Sequence, residues 1–261
     1  MRTLRLLGLF FRIGALNELQ YRANFWLQLL QALIALGTGL AVLGLVFSQT
    51  SALNGWSQPE LLAVMCVHMA MGGLIGSIIQ PNMERLRTDI REGTFDFVLT
   101  KPDDVQVLSS VREVRICQLV DVLVGAGVIG FAISRLETSI GVLDAVAFAV
   151  ALVLGALMIY CFWLVLTTIA FWIVRIDEIH ELFEGVYQSG RWPVTLYPGW
   201  LRISLTFLVP IAFAVTVPAQ ALTGRLTPGM LGLAAAFAIL LFVGTRWFWR
   251  FGLTHYSGAS A

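Results

Sequence analysis

Residues 142–174 read VLDAVAFAVALVLGALMIYCFWLVLTTIAFWIV, a run with one acid near its start and no other charge. Crossing about 30 Å of hydrocarbon takes roughly 20 helical residues, so the run is too long for one perpendicular crossing. It reads either as one tilted helix projecting beyond the bilayer or as a tight hairpin turning near Gly155. The choice fixes the number of crossings, and with it the side on which everything downstream lies.

Charge placement makes the choice. Apolar stretches at 25–47, 61–80, 116–134, 203–222 and 230–249 complete a set of six with 142–174. With the N-terminus inside and six crossings, the cytoplasm receives Arg2, Arg5, Arg12 and Arg22, then Arg85, Arg87, Arg91, Lys101, Arg112 and Arg115. Arg175, Arg191, Arg202, Arg246 and Arg250 follow, and only Arg135 and Arg225 fall outside. Fifteen against two satisfies the positive-inside rule, whereas splitting 142–174 gives eleven against six. The sequence therefore predicts an all-α polytopic membrane protein. It has six transmembrane helices, cytoplasmic N- and C-termini and one transmembrane domain over residues 1–261.

Composition agrees. Apolar residues make up 58% of the chain and charged ones 13%, about half the share of a soluble domain. A net charge of +1 excludes a globally basic nucleic-acid binder. Cys66, Cys117 and Cys161 fit no metal spacing and read as small buried hydrophobes. The N-terminus interrupts its apolar residues with charge and shows no cleavage site, so no removable signal is expected.

The polar mass falls into two segments on the cytoplasmic side, 81–115 and 175–202. Before span one, Leu4, Leu7 and Phe11 oppose Arg5 and Arg12, as in an amphipathic N-terminal helix lying in the inner interface. In the first large segment, opposite charges alternate at helical spacing over 83–92, Gly93 stands where a helix would stop, and 95–99 is apolar. Pro102 breaks the chain again, and Asp103 or Asp104 can cap a helix leading into span three. In the second, Ile176, Ile179, Phe183 and Val186 share a face, with Asp177, Glu178, Glu181 and Glu184 around the rest. Within the membrane, Gly72, Gly76, Gly125 and Gly130 suit close helix packing. Pro210 and Pro218 should kink span five and are the candidates for the translocation path or its gating. His68 and Asp121 are the intramembrane polar groups of interest; Asp121, about one turn from the inner boundary, suits helix pairing or the interface.

Catalytic sets are missing. A P-loop needs a glycine-rich turn followed by lysine, and the one lysine, Lys101, stands between Thr100 and Pro102. There is no His-Glu-x-x-His zinc motif and no serine in a Gly-x-Ser-x-Gly elbow. No catalytic residue, metal or cofactor is expected in this chain.

Arg91, Glu92, Gly93, Thr94, Phe95 and Asp96, followed by Lys101 and Pro102, carry a resemblance. So do Ser189-Gly190-Arg191-Trp192-Pro193 with Tyr197-Pro198 and Trp200-Leu201-Arg202, then Val209-Pro210, Val217-Pro218-Ala219 and the tail Arg250-Phe251-Gly252-Leu253 through Tyr256-Ser257. Over essentially its whole length the chain resembles the type-2 (ABC-2-like) permeases of ABC transporters, in the compact six-helix branch with an Arg-Glu-Gly-Thr loop motif. The resemblance implies a coupling helix between spans two and three that docks into separate ABC ATPase subunits. ATP and Mg would be held by those partners, and a second permease subunit, the same or a related chain, would complete the path. It further implies an exporter of a hydrophobic or cationic small molecule, lipid or peptide, in a bacterial inner membrane and in contact with lipid. Glu84, Arg85, Arg91, Glu92, Gly93, Thr94, Phe95 and Asp96 are the residues expected to couple to the ATPase. The competing readings are an ATP-independent channel or secondary carrier, and an intramembrane enzyme or assembly scaffold.

Overall fold

The computed structural model describes residue 8 and residues 22–135, 141–172 and 179–256. The expected N-terminal helix, the positions of Ile176, Asp177 and Glu178, and the tail from Ser257 lie outside the described residues.

Helix α1 (Arg22–Gln49) presents apolar side chains outward along its length, with Trp26 66% exposed, as a surface solvated by lipid requires. A short turn holding Asn54 and Gly55 at positive φ leads to α2 (Gln58–Leu74), where Glu60 accepts the Ser57 N–H at 2.7 Å and closes the first turn. Helix α2 does not stop at its apolar end. A π turn at Ile75–Ile79 joins it to α3 (Gln80–Glu92), making one helical rod over Gln58–Glu92.

Pro81 explains the joint. It has no N–H for the Ser77 carbonyl one turn back, and its ring crowds that carbonyl. The π turn opens the ladder there, and the freed Ser77 carbonyl accepts the Arg115 N–H at 2.9 Å. The rod ends where the sequence placed its stop. Gly93 adopts φ 73°, a left-handed cap closed by its N–H onto the Ile90 carbonyl.

Two short helices follow, α4 (Asp96–Leu99) and α5 (Val105–Ser109); Asp104 caps the second by accepting the N–H groups of Gln106 and Val107. A 3₁₀ turn at Ile116–Gln118 starts α6 (Leu119–Arg135), which runs back antiparallel to α2. The two backbones approach closely. A Cβ on Gly125 would meet the Cys66 carbonyl at 2.9 Å, and one on Gly73 would meet the Gln118 carbonyl at the same distance. Of the glycines expected to do this, Gly72 instead faces the Tyr187 ring, Gly76 the Gln118 side chain, and Gly130 open space.

Helix α7 (Val142–Thr168) runs unbroken through Gly155 and closes with a 3₁₀ turn at Ile169–Phe171, so the described part of the run holds one helix and no hairpin at Gly155. Then come α8 (Ile179–Gln188), 3₁₀ turns at Ser189–Arg191 and Val194–Leu196, and α9 (Gly199–Ile203), which continues as a π turn over Ser204–Leu208. A second π turn at Ala212–Thr216 leads into α10 (Val217–Leu222), and α11 (Pro228–His255) ends the fold.

Here the structure corrects the sequence. The stretch 203–222, expected as span five, is folded back on itself. Gly199–Leu208 and Ala212–Leu222 meet at 81°, with Val209 extended ahead of Pro210, as a residue preceding proline must be. Both arms end at the turn between α1 and α2. On one arm, Arg202 donates to the Thr195 carbonyl at 2.9 Å, and Asn54 donates to that same carbonyl at 3.0 Å. On the other, just past α10, Arg225 pairs with Glu60 at 2.6 Å and stands over the Trp56 ring at 4.8 Å. The hairpin enters and leaves at one end of the bundle. Arg202, expected in the cytoplasm, therefore lies beside the turn expected outside. Residues 179–196 join the two ends in its place. Pro218 stands in the first turn of α10, directly after the π turn at Ala212–Thr216, so its missing N–H falls where the helical ladder is already widened.

Substitution of single cysteines into a cysteine-free background checks this path. Trp200→Cys is expected to react with a membrane-impermeant maleimide from the same side as Gly229→Cys; labelling together with Lys101→Cys would restore 203–222 as a crossing.

Candidate functional site

The return segment 110–115 lies along α3 and is fastened to it at four levels. Asn82, fully buried, donates to the Glu113 carbonyl at 2.7 Å and accepts the Glu113 N–H at 2.9 Å. The Arg115 N–H takes the carbonyl freed by Pro81, while its guanidinium pairs with Glu84 at 2.8 Å. Arg85 reaches Glu113 at 3.6 Å. Nearest the tip, Asp89 pairs with Arg112 at 2.6 Å, both side chains mostly shielded, and accepts the Thr94 hydroxyl at 3.2 Å. A shielded, hydrogen-bonded pair of this kind resists separation far more than a surface ion pair does.

Past Gly93 the chain turns, with the Phe95 N–H bonded to the Asp89 carbonyl at 3.1 Å. Phe95 is fully buried and meets the rings of Phe171, Trp249 and Tyr256 at 5.3–6.3 Å, which plugs the loop into the adjoining ends of α7 and α11. A second tie lies beyond Pro102. Arg246 of α11 forms a fork on the Asp104 carboxylate and also reaches Gln106 at 2.6 Å, and Gln106 and Ser110 both bond the Tyr160 hydroxyl of α7. The Arg246 guanidinium holds the Asp104 carboxyl below the usual carboxylate range, against partial burial, with the Val107 and Gln106 N–H groups assisting.

The expected coupling residues thus divide. Glu84 and Phe95 face inward as braces, Thr94 bonds back to Asp89, and Gly93 makes the turn. Arg91 and Glu92 are exposed at the tip, and Arg85 is half-exposed while touching Glu113; Asp96 is partly covered. Phe97 is 72% exposed two residues from buried Phe95, with Leu99 and Val107 also on the outside. Asn82, Asp89, Arg112, Arg115 and Arg246 do as much to hold the element as any residue singled out beforehand. Asn82 following Pro81 was the signal available for the first of them.

Farther into the bundle, α2 and α8 are joined reciprocally. The His68 ring bonds the Tyr187 carbonyl at 3.0 Å, the Tyr187 hydroxyl donates to the His68 carbonyl at 2.7 Å, and the rings stack at 4.4 Å. A carbonyl only accepts, so His68 carries its proton on Nε2. Beside this pair a cavity of about 380 Å³ opens between α1, α2, α6 and α8, lined in part by Gln28, Gln118, Asp121 and Arg191. Gln28 donates to Asp121 at 2.9 Å and to Gln118 at 3.3 Å, so Asp121 pairs α1 with α6 and also faces a cavity. Pro210 does not line it and stands at the elbow of the hairpin. Among the described residues no group of three His, Cys, Asp or Glu side chains could hold a metal ion.

Asn82→Ala removes both bonds to Glu113 and leaves buried main-chain groups unpaired, at a cost of about 1–3 kcal/mol. The melting temperature in detergent is expected to fall by roughly 5 °C, whereas Thr100→Ala, at an exposed position, leaves it unchanged. Equal melting of the two variants would remove the clamp from the account.

Neither the curated proteins nor the solved structures include a match to this chain. A protein-family profile described as ABC-2 family transporter protein matches residues 33–260, from within α1 to beyond the end of α11. That span covers the rod, the braced loop, the folded-back hairpin and α11, and on it the chain belongs to the ABC-2 family of transporter proteins.

Proposed function

We propose that this chain is the permease subunit of an ATP-driven exporter, working with a second permease, the same or related, and with separate ATPase subunits that hold the ATP and Mg. The observation that carries the reading is the braced loop. A fully buried Phe95 and two shielded polar clamps hold a tip that presents Phe97, Arg91 and Glu92 outward. An element fixed on the inside and apolar on the outside is built to transmit the position of something docked against it.

In this reading the ATPase subunits receive Phe97, with Arg91 and Glu92 at its margin, and Glu84, Arg85, Thr94 and Asp96 keep the loop in register with α3. ATP-driven closure of the partners displaces the tip. Because α3 is continuous with α2, the displacement reaches the walls of the cavity between α1, α2 and α8. Pro210, at the elbow of the hairpin, is the position where that end of the bundle can yield, and Pro218, next to the π turn of the returning arm, is a second such position. The loop end of the bundle, where α1 begins and α11 ends, faces the cytoplasm, and the membrane is a bacterial inner membrane.

Purification in mild detergent from the native membrane, with the co-eluting chains identified by mass spectrometry, tests the assembly. A stoichiometric ATPase is expected, and a chain that stays alone through repeated gentle preparations would overturn the reading. Phe97→Asp is expected to lose the ATPase while the permease remains monodisperse. The double reversal Arg91→Glu with Glu92→Lys is expected to leave insertion intact and to separate ATP hydrolysis from transport; unchanged transport would sink the assigned roles.

A further inference from the structure

The charges around the α1–α2–α8 cavity do not cancel. At the end of α8 they are linked in series: Arg191, in the 3₁₀ turn that follows, donates to Gln188 at 2.9 Å, and Gln188 donates to Glu184 at 2.7 Å. An acid and a base seven residues apart, Glu184 and Arg191, are thereby joined through one amide. Across the cavity, Asp121 has one neutral donor among the described residues, the Gln28 amide at 2.9 Å. A smaller opening of about 260 Å³ adjoins, sharing Gln28, Gln31 and Gln118 with the cavity and reaching Asn24 and Arg115. Arg115 does not offset Asp121, being already held by Glu84 at 2.8 Å and Glu113 at 3.8 Å. Among the described lining residues, two carboxylates and one guanidinium leave the wall one charge negative.

The remaining surface is apolar and adaptable. Met65, Met69, Ile75 and Leu36 also line the cavity, and methionine fits itself to varied shapes. A half-covered carboxylate in low dielectric, with one neutral partner, draws a positive charge strongly. The volume lies in the range of small-molecule sites.

We propose that this cavity binds amphiphilic cations, the positive group against Asp121 and the apolar body against Met65 and Met69. The proposal rests on the permease reading only in making the bound molecule the cargo; the site itself needs neither ATP nor a partner.

Tetraphenylphosphonium and tetraphenylborate are matched in shape and opposite in charge. The test is equilibrium binding of radiolabelled tetraphenylphosphonium to the purified protein in nanodiscs, with the borate and empty nanodiscs as references. Saturable binding of the phosphonium and none of the borate is expected. Asp121→Asn should weaken it by about tenfold or more, and Asp121→Glu should restore it. Gln31→Glu, which adds a carboxylate to the same wall without touching the Gln28–Asp121 bond, should tighten it several-fold and keeps the test open if Asp121→Asn fails to fold. Saturable binding of both ions alike, or an affinity indifferent to Asp121 and Gln31, would overturn the proposal while leaving the permease reading intact. Binding as expected by a chain that never recovers an ATPase would do the reverse.

Discussion

A main-chain N–H or C=O cannot be left unpaired in hydrocarbon, and this fold is arranged around the places where the helical ladder fails to pair them. Pro81 frees the Ser77 carbonyl, and the Arg115 N–H arrives to take it. The larger case is the irregular path 187–197. There the Tyr187 carbonyl is taken by His68, the Ser189 carbonyl by the Tyr197 hydroxyl, the Val194 N–H by Thr216, and the Thr195 carbonyl by Asn54 and Arg202. The folded-back hairpin supplies part of this pairing and packs over the rest, with Gly190 held against Ile211 and Val215. Non-helical backbone survives at such a depth only inside protein, and the hairpin is that cover.

The same accounting places the two polar anchors at opposite ends of one rod. A helix over Gln58–Glu92 rises about 50 Å. Glu60, in its first turn, holds Arg225, and Asp89, in its last, holds Arg112. Between them Gly73 and Gly125 bring α6 close enough that the rod cannot rotate without carrying α6 with it. Function follows from that rigidity, since an event at the loop is passed to the cavity wall with little lost in bending.

Much of this was legible in the sequence and one part was not. The apolar lengths and the arginine bias gave α1, α2, α6, α7 and α11, and the alternating charges before Gly93 gave α3 and its stop. Hydropathy reports how apolar a segment is and nothing of how far it travels. Residues 203–222 are apolar enough to cross, so hydropathy predicts a crossing there, while the shorter and more polar stretch around Ile179, Phe183 and Val186 has the pattern of an amphipathic surface helix. Val209-Pro210 in the middle of the apolar run was the available sign of an elbow, and it suggested only a kink. At the candidate site, the exposed Arg91 and Glu92 and the turn at Gly93 could be read locally. The partners of Asp104, Asp89 and Asn82 are 23–142 positions away, on segments whose approach no local pattern encodes.

The cover provided by the hairpin has a consequence in time. Residues 187–197 emerge from the ribosome ahead of residues 199–222, so the segment reaches the membrane before the chain that will shelter it. During that interval its loose carbonyls have only α2, already inserted, to bond with, and His68 and Asn54 are the groups α2 and its preceding turn hold ready. The stacked His68–Tyr187 pair is thus a handhold for a nascent chain as well as a feature of the finished one, and biogenesis of this protein proceeds in the order in which each segment's hydrogen bonds become available.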